Sequence, residues 1–238
     1  MIGLGTIINA GAIVIGGLLG LFGGRLVKPR VQEGLNMACG VSVLFIGMAG
    51  ALAGMLAVGT DGLTGVNSML VVGCLALGTL VGELVDIENA FNRFGEWLKQ
   101  KTGNAGDSRF VNAFVTASLT VCIGAMAIVG SIQDGISGDW SVLGTKAILD
   151  LIIILVMTCS MGKGCLFSAI PVFILQGAVT LLARLISPVM TDAALTNISF
   201  IGSILIFCVG LNLVWGPKVR VANMLPALLF AIAAAFVF

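Results

Sequence analysis

Apolar residues fill this chain in about eight blocks, most of them long enough to cross a bilayer, with short polar connections between them. A helix rises about 1.5 Å per residue, so a hydrocarbon layer of about 30 Å needs roughly 20 apolar residues in a row. The blocks cover residues 2–23, 35–57, 68–85, 110–130, 147–161, 166–187, 195–215 and 221–238. Their apolar character is continuous rather than alternating. That selects helices over a barrel, because a helix satisfies its own backbone hydrogen bonds in lipid. Only 10% of the residues are charged and 58% are hydrophobic, whereas a water-soluble domain carries about 25% charge. The expected fold is all-α: a polytopic transmembrane helix bundle of about eight spans, forming a single domain over residues 1–238. The fifth block is the shortest, and either a span or a re-entrant helix accounts for it.

Basic residues orient the spans. Arg25, Lys28, Arg30, Arg93, Lys99, Lys101, Arg109, Lys163, Lys218 and Arg220 fall in the connections after the first, third, fifth and seventh blocks. Only Lys146 and Arg184 fall in the others. The positive-inside rule puts the crowded connections in the cytoplasm and both chain ends outside it, which requires an even number of spans. Met1-Ile2-Gly3-Leu4 has no basic region, so the first block reads as a span rather than a cleaved signal. A net charge of +1 gives no reason to expect nucleic acid. After the third block, Ile87, Phe91, Phe94 and Leu98 share one face of a predicted helix over 87–101, with Glu88, Asn92, Arg93, Glu96 and Lys99 opposite. Such a helix lies in the inner interface, as an anchor and spacer or as a surface for a partner protein.

Two short motifs recur. Arg25-Leu26-x-x-Pro29 closes the first block and Arg184-Leu185-x-x-Pro188 closes the sixth. Leu44-Phe45-Ile46-Gly47 in the second block resembles Phe207-Cys208-Val209-Gly210 in the seventh. Residues 1–86 and 164–238 then read as two three-span copies around central spans over 108–163. An odd number of spans separates the copies, so they lie in the membrane with opposite orientation. Secondary transporters use this arrangement, rocking two halves about a midplane site. Pro171 falls inside the sixth block, where a proline marks a kink or a break. Glycines four apart, as in Gly16, Gly20 and Gly24, let helices approach closely in lipid. Their abundance exceeds what one small bundle needs and points to a homodimer.

Ionisable groups in hydrocarbon cost about 2.5–3.5 kcal/mol each, so every one needs a reason. Glu83 and Asp86 share a face near the cytoplasmic end of the third block, and Asp150 lies about one turn into the fifth, four residues after Lys146. They read either as hydrated ends and a local ion pair, or as carriers of a proton or cation. Asn112, Thr116 and Thr120 form a stripe on the fourth block, and Asn36, Gln176 and Asn212 sit where lipid offers no partner. Asn36, Asn112, Thr116, Gln176 and Asn212 are therefore the candidate contacts for a solute. The chain has no histidine and no tyrosine, its six cysteines form no Cys-x-x-C pair, and it has no phosphate-binding glycine loop followed by lysine. No catalytic residue, metal ligand or cofactor is expected. The predicted function is transport or channelling of a small solute or ion; the alternative is a non-transporting scaffold or sensor.

The opening Met1-Ile2-Gly3-Leu4-Gly5-Thr6-Ile7-Ile8-Asn9-Ala10, the run Gly34-Leu35-Asn36-Met37-Ala38-Cys39-Gly40 through Ile46-Gly47, and Gly82-Glu83 with Asp86-Ile87-Glu88 resemble the YqgA/YdfK-like family of bacterial inner-membrane proteins. That family is of unknown function. The resemblance implies a bacterial inner membrane and a transport label, with no assigned substrate, catalytic residue or cofactor.

Overall fold

The computed structural model describes residues 1–26, 28–59, 62–123 and 125–236, and of Arg25, Pro29 and Ala125 the backbone alone. Helix α1 (Leu4–Leu26) leads into α2 (Pro29–Met55), which opens on a proline whose missing N–H has no partner to lose there. A small antiparallel hairpin, β1 (Leu56–Gly59) and β2 (Gly62–Gly65), precedes α3 (Ser68–Val85). Asp86, at φ 58°, turns the chain into α4 (Ile87–Lys101). Helices α5 (Phe110–Cys122) and α6 (Ala125–Ser137) form a pair bent by 63°. After α7 (Ser141–Met161) comes a 3-10 segment, Lys163–Ser168, then α8 (Ala169–Leu181) and the short α9 (Ala183–Ile186). Helix α10 (Asp192–Trp215) starts at Thr191, whose hydroxyl accepts from the Ala194 N–H, and α11 (Val221–Met224) and α12 (Ala227–Ala234) complete the described chain.

The all-α polytopic bundle is what forms. Among the described residues, six helices are long and apolar enough to cross a membrane: α1, α2, α3, α7, α10, and the 3-10 segment continued by α8. The bent α5–α6 pair makes up to a seventh, and Val221–Ala234 is a shorter apolar stretch. Large apolar side chains such as Ile15, Phe22, Phe45, Ile46, Val72 and Leu84 are exposed on the outside, a belt that only lipid covers. Trp97 and Trp215 sit at the basic end of the bundle and Trp140 at the other, all exposed, as interfacial anchors do.

Packing fixes the directions of the helices. A Cβ on Gly16, Gly20 or Gly24 of α1 meets the carbonyl of Leu151, Leu155 or Cys159 of α7 in turn, so the two backbones run parallel and nearly touch. Helix α1 is antiparallel to α8, through Thr6 with Thr180 and Asn9 with Gln176. Helix α2 is antiparallel to α10, through Gly40 with Leu213 and Gly54 with Phe200, and α3 is antiparallel to α11–α12, through Gly82 with Asn223 and Gly78 with Ala227. A parallel α1 and α7 require α5 and α6 together to make one net pass along the bundle; a pair that returned to its own side would leave α7 opposed to α1.

Several local expectations change. The fifth block starts at Ser141 and is a full 21-residue helix, because Lys146 finds a carboxylate within it and need not end it. Lys146 is therefore not a loop charge. The fourth block bends after Cys122 rather than running straight. The eighth is divided at Pro226, and its last two residues, 237–238, lie outside the described ones. Pro171 lies within the sixth block, in the span Lys163–Leu181. It stands in the first turn of α8, where the 3-10 segment passes into α-helix and its lost N–H is harmless.

Candidate functional site

Four of the five expected solute contacts line one cavity. Asn36 of α2, Asn112 and Thr116 of α5 and Asn212 of α10 border a space of about 410 Å³, together with Glu88 and Asn92 of α4. A second space of about 410 Å³ shares Asn36, Asn112 and Met161 with it and is also lined by Glu33 and Arg109. The two adjoin toward the basic end, and together they are termed the vestibule. Its wall on α5 runs from Asn112 to Leu119, roughly 10 Å along the helix axis.

The polar groups in this vestibule are held with different firmness. Asn36 donates to the Leu213 carbonyl at 3.4 Å and accepts from Ser160 Oγ at 3.5 Å, and Thr116 Oγ1 donates to Asn112 Oδ1 at 3.4 Å. These are long contacts that a ligand can replace. Asn212 is committed. Its Nδ2 donates to the Val219 carbonyl at 2.7 Å, and its Oδ1 accepts the N–H groups of Lys218 and Val219, both at 2.9 Å. It staples the turn after α10 and so builds the wall. Sequence reasoning misses Glu88, which sits on the nominally polar face of α4. Burial pushes its carboxyl above the ordinary range, against the pull of the Ala222 N–H and the Arg220 charge. Helix α4 itself is docked: Phe94 meets Phe114 edge-on at 5.8 Å, and Leu98 is buried.

The three expected coupling carboxylates part company. Glu83 pairs with Arg220 at 2.9 Å at the basic edge, and Asp86 accepts from Asn89 in the turn beside it. Asp150 is only 3% exposed and Lys146 7%, and the Lys146 ammonium donates to both Asp150 oxygens, at 2.8 and 2.6 Å. Counted from Ser141, the pair lies roughly 8–14 Å along α7. Gln176 belongs here and not in the vestibule. Asn9 stands beside Asp150 and donates to Gln176 Oε1 at 3.2 Å, and Thr6 and Thr180 join their hydroxyls at 3.4 Å. Asn9 Oδ1 and Gln176 Nε2 are buried without a hydrogen-bond partner. Cys122, the last residue of α5, is within electrostatic reach of both Lys146 and Asp150, so the α5–α6 bend lies next to the ion pair.

Asp134 of α6 is a second carboxylate that the sequence does not single out. Fully buried, it accepts the N–H groups of Gly3 and Gly5 at 3.1 and 3.0 Å and so caps the start of α1. Arg184 is exposed on α9, at the end of the bundle away from the vestibule. The side chain of Arg25 lies outside the described residues. Among the described residues, no three His, Cys, Asp or Glu side chains gather as metal ligands would.

A family model described as a protein of unknown function, DUF554, matches residues 4–236. The chain is 28% identical over 232 residues to the uncharacterized protein YqgA of Escherichia coli (strain K12), an alignment covering 96% of this chain and 94% of that one. It is 28% identical over 233 residues to the uncharacterized membrane protein YdfK of Bacillus subtilis (strain 168), covering 98% and 96%. No solved structure matches the chain.

Proposed function

The chain belongs to the DUF554 family of unknown function, and we propose that it is a secondary transporter, moving a small polar solute or ion across the bacterial inner membrane by alternating access. The observation that carries this reading is the buried Lys146–Asp150 pair, with Asn9 and Gln176 beside it, next to a bent helix pair. A bundle in lipid has no structural need for such a pair, since apolar residues of similar volume often serve as well or better. Charges kept at that depth mark ion and substrate pathways, and broken helices are where transporters bind their cargo.

Inverted halves fit the packing. At the antiparallel α2–α10 crossing, Gly47 lies against Phe207 and Gly210 against Leu44, so the two copies of the repeated motif exchange contacts. The first and third members of each proposed copy, α1 with α8 and α3 with α11–α12, also meet antiparallel. In this reading Asn36, Asn112 and Thr116 hold the solute, Asn212 shapes the wall, and Asp150 couples movement to an ion. Glu83 and Asp86 serve the cytoplasmic edge. With Lys146 inside α7, Arg184 alone remains among the connections on the far side, which strengthens the charge bias for a cytoplasmic vestibule and outer chain ends. A second copy has room where Gly11, Gly73 and Gly177 face open space. The scaffold reading has less to stand on, because the apolar face of α4 is already occupied by the bundle.

Reconstitution tests the proposal. Protein in liposomes, offered a panel of small polar solutes and alkali cations under imposed ion gradients, accumulates at least one of them. Asn112→Ala weakens the apparent solute affinity, and Asp150→Asn abolishes accumulation while expression and monodispersity persist. Wild-type accumulation that survives in Asp150→Asn removes the carboxylate from the mechanism, and a panel with no flux rejects transport.

A further inference from the structure

We infer that the solute held in the vestibule is a basic amino acid, a molecule with one carboxylate and two ammonium groups, of the class of lysine and ornithine. This rests on the transport reading above and names the class of its cargo.

The lining sets out three charges in order. The two spaces follow each other along α5: Arg109 and Asn112 line the second, and Asn112, Thr116 and Leu119 line the first. Glu33 and Asn36 stand one turn apart on α2, as Arg109 and Asn112 do at the start of α5, and all four border the second space. Residues three apart share a helix face. Both helices begin at the basic end, so each places a charged side chain toward that end and an amide one turn further in. Glu88 of α4 borders the first space. Among the described residues, the ionisable side chains of the lining are therefore two carboxylates, Glu33 and Glu88, and one guanidinium, Arg109.

These charges do not answer one another. Among the described residues none of the three enters an ion pair, so Glu33 and Arg109 border one space further apart than a salt bridge. Asp107 accepts the backbone N–H of Arg109, and Arg220, whose charge acts on Glu88, is paired with Glu83 at 2.9 Å. A solute that complements this lining carries the opposite count, one anion and two cations. A neutral amino acid leaves one carboxylate unanswered, and a diamine leaves the guanidinium unanswered, each a cost once water is displaced. The α-carboxylate goes to Arg109, whose planar fork suits it. The α-ammonium goes to Glu33, and the side-chain ammonium goes to Glu88. From Arg109 to Thr116 the wall rises roughly 10 Å along α5, room for a side chain of several methylenes and more than alanine fills. Val115, Leu119 and Met161 supply apolar surface for those methylenes.

Equilibrium dialysis of the purified full-length protein in detergent against radiolabelled L-lysine tests this, with competitors that each delete one charge. L-Norleucine lacks the side-chain ammonium, 6-aminohexanoate lacks the α-ammonium, and cadaverine lacks the carboxylate. Lysine binds saturably, and each analogue competes at least about tenfold more weakly than unlabelled lysine. Glu88→Gln then binds lysine no better than norleucine, Glu33→Gln no better than 6-aminohexanoate, and Arg109→Gln no better than cadaverine. Glu33 and Arg109 are exposed, so their variants fold and elute as single species. Absence of saturable lysine binding to wild type overturns the inference, as does norleucine or cadaverine competing as well as lysine. Variants that weaken all four ligands by one common factor overturn the charge pairing. Lysine binding without uptake into liposomes sinks the transport reading and spares the binding site. Uptake of another solute by protein that does not bind lysine does the reverse.

Discussion

At the residue scale, the most demanding contacts are backbone against backbone. The Gly16, Gly20 and Gly24 stripe is legible in the sequence because small residues four apart form a ridge that another helix can reach. What the sequence does not reveal is the partner, since any of several apolar helices would fit. In the fold a Cβ on Gly20 would lie 2.5 Å from the Leu155 carbonyl oxygen, while one on Gly23 meets nothing within 4 Å. Gly20→Leu therefore pries α1 from α7 and costs about 1–3 kcal/mol or more, read as a lower melting temperature in detergent, whereas Gly23→Leu melts like wild type. Equal losses in the two variants would mean that helix propensity, not close approach, sets the requirement. Asn212 teaches the opposite lesson. A polar amide in an apolar block reads as a ligand contact, but its partners, Lys218 and Val219, lie around a turn that composition does not reveal.

At the scale of elements, α4 was open to sequence reading down to its ends, because a charged helix with one apolar face has a strong period. The bend between α5 and α6 was not. Nothing in the apolar run 110–130 distinguishes a bent pair from a straight span. The pairing of β1 with β2 is likewise not marked in the sequence, although Gly59, Gly62 and Gly65 favour a turn. Glu88 gives α4 a measurable signature. Burial raises its carboxyl above the ordinary value of 4.5, outweighing the Ala222 N–H and Arg220. A raised acid favours the folded state in its protonated form, so its contribution is fully present below the ordinary value and is lost as pH climbs through the raised one. Glu88→Gln removes that loss. Thermal unfolding in detergent then finds variant and wild type alike below about pH 4, with the variant the more stable at neutral pH. A variant less stable at neutral pH would mean that the Arg220 and Ala222 interactions dominate the site.

At the scale of the molecule, the charge pattern and the packing are independent routes to one topology. The first counts basic residues in the connections. The second follows helix directions: parallel for α1 and α7, antiparallel for α1 and α8, α2 and α10, and α3 and α11–α12. The first reads as alternating passes, and the second fits that reading if the bent pair counts once and the final divided stretch is the return. The contacts agree at the ends, since Met1 lies near Gly138, and Ala234 and Ala235 share a cavity with Gly65 and Asn67. Lys163, Lys218 and Arg220 lie at the opposite end, with the vestibule. The orientation of the whole then turns on the positive-inside rule alone. Alkaline phosphatase fused to either chain end is active and green fluorescent protein fused there is dark, while the same reporters inserted at Gly103, in the loop after α4, give the inverse pattern. Ends found on opposite faces would mean an odd number of crossings. The α5–α6 pair or the final stretch would then fail to cross, and the vestibule and ion pair would no longer lie on one path through the membrane.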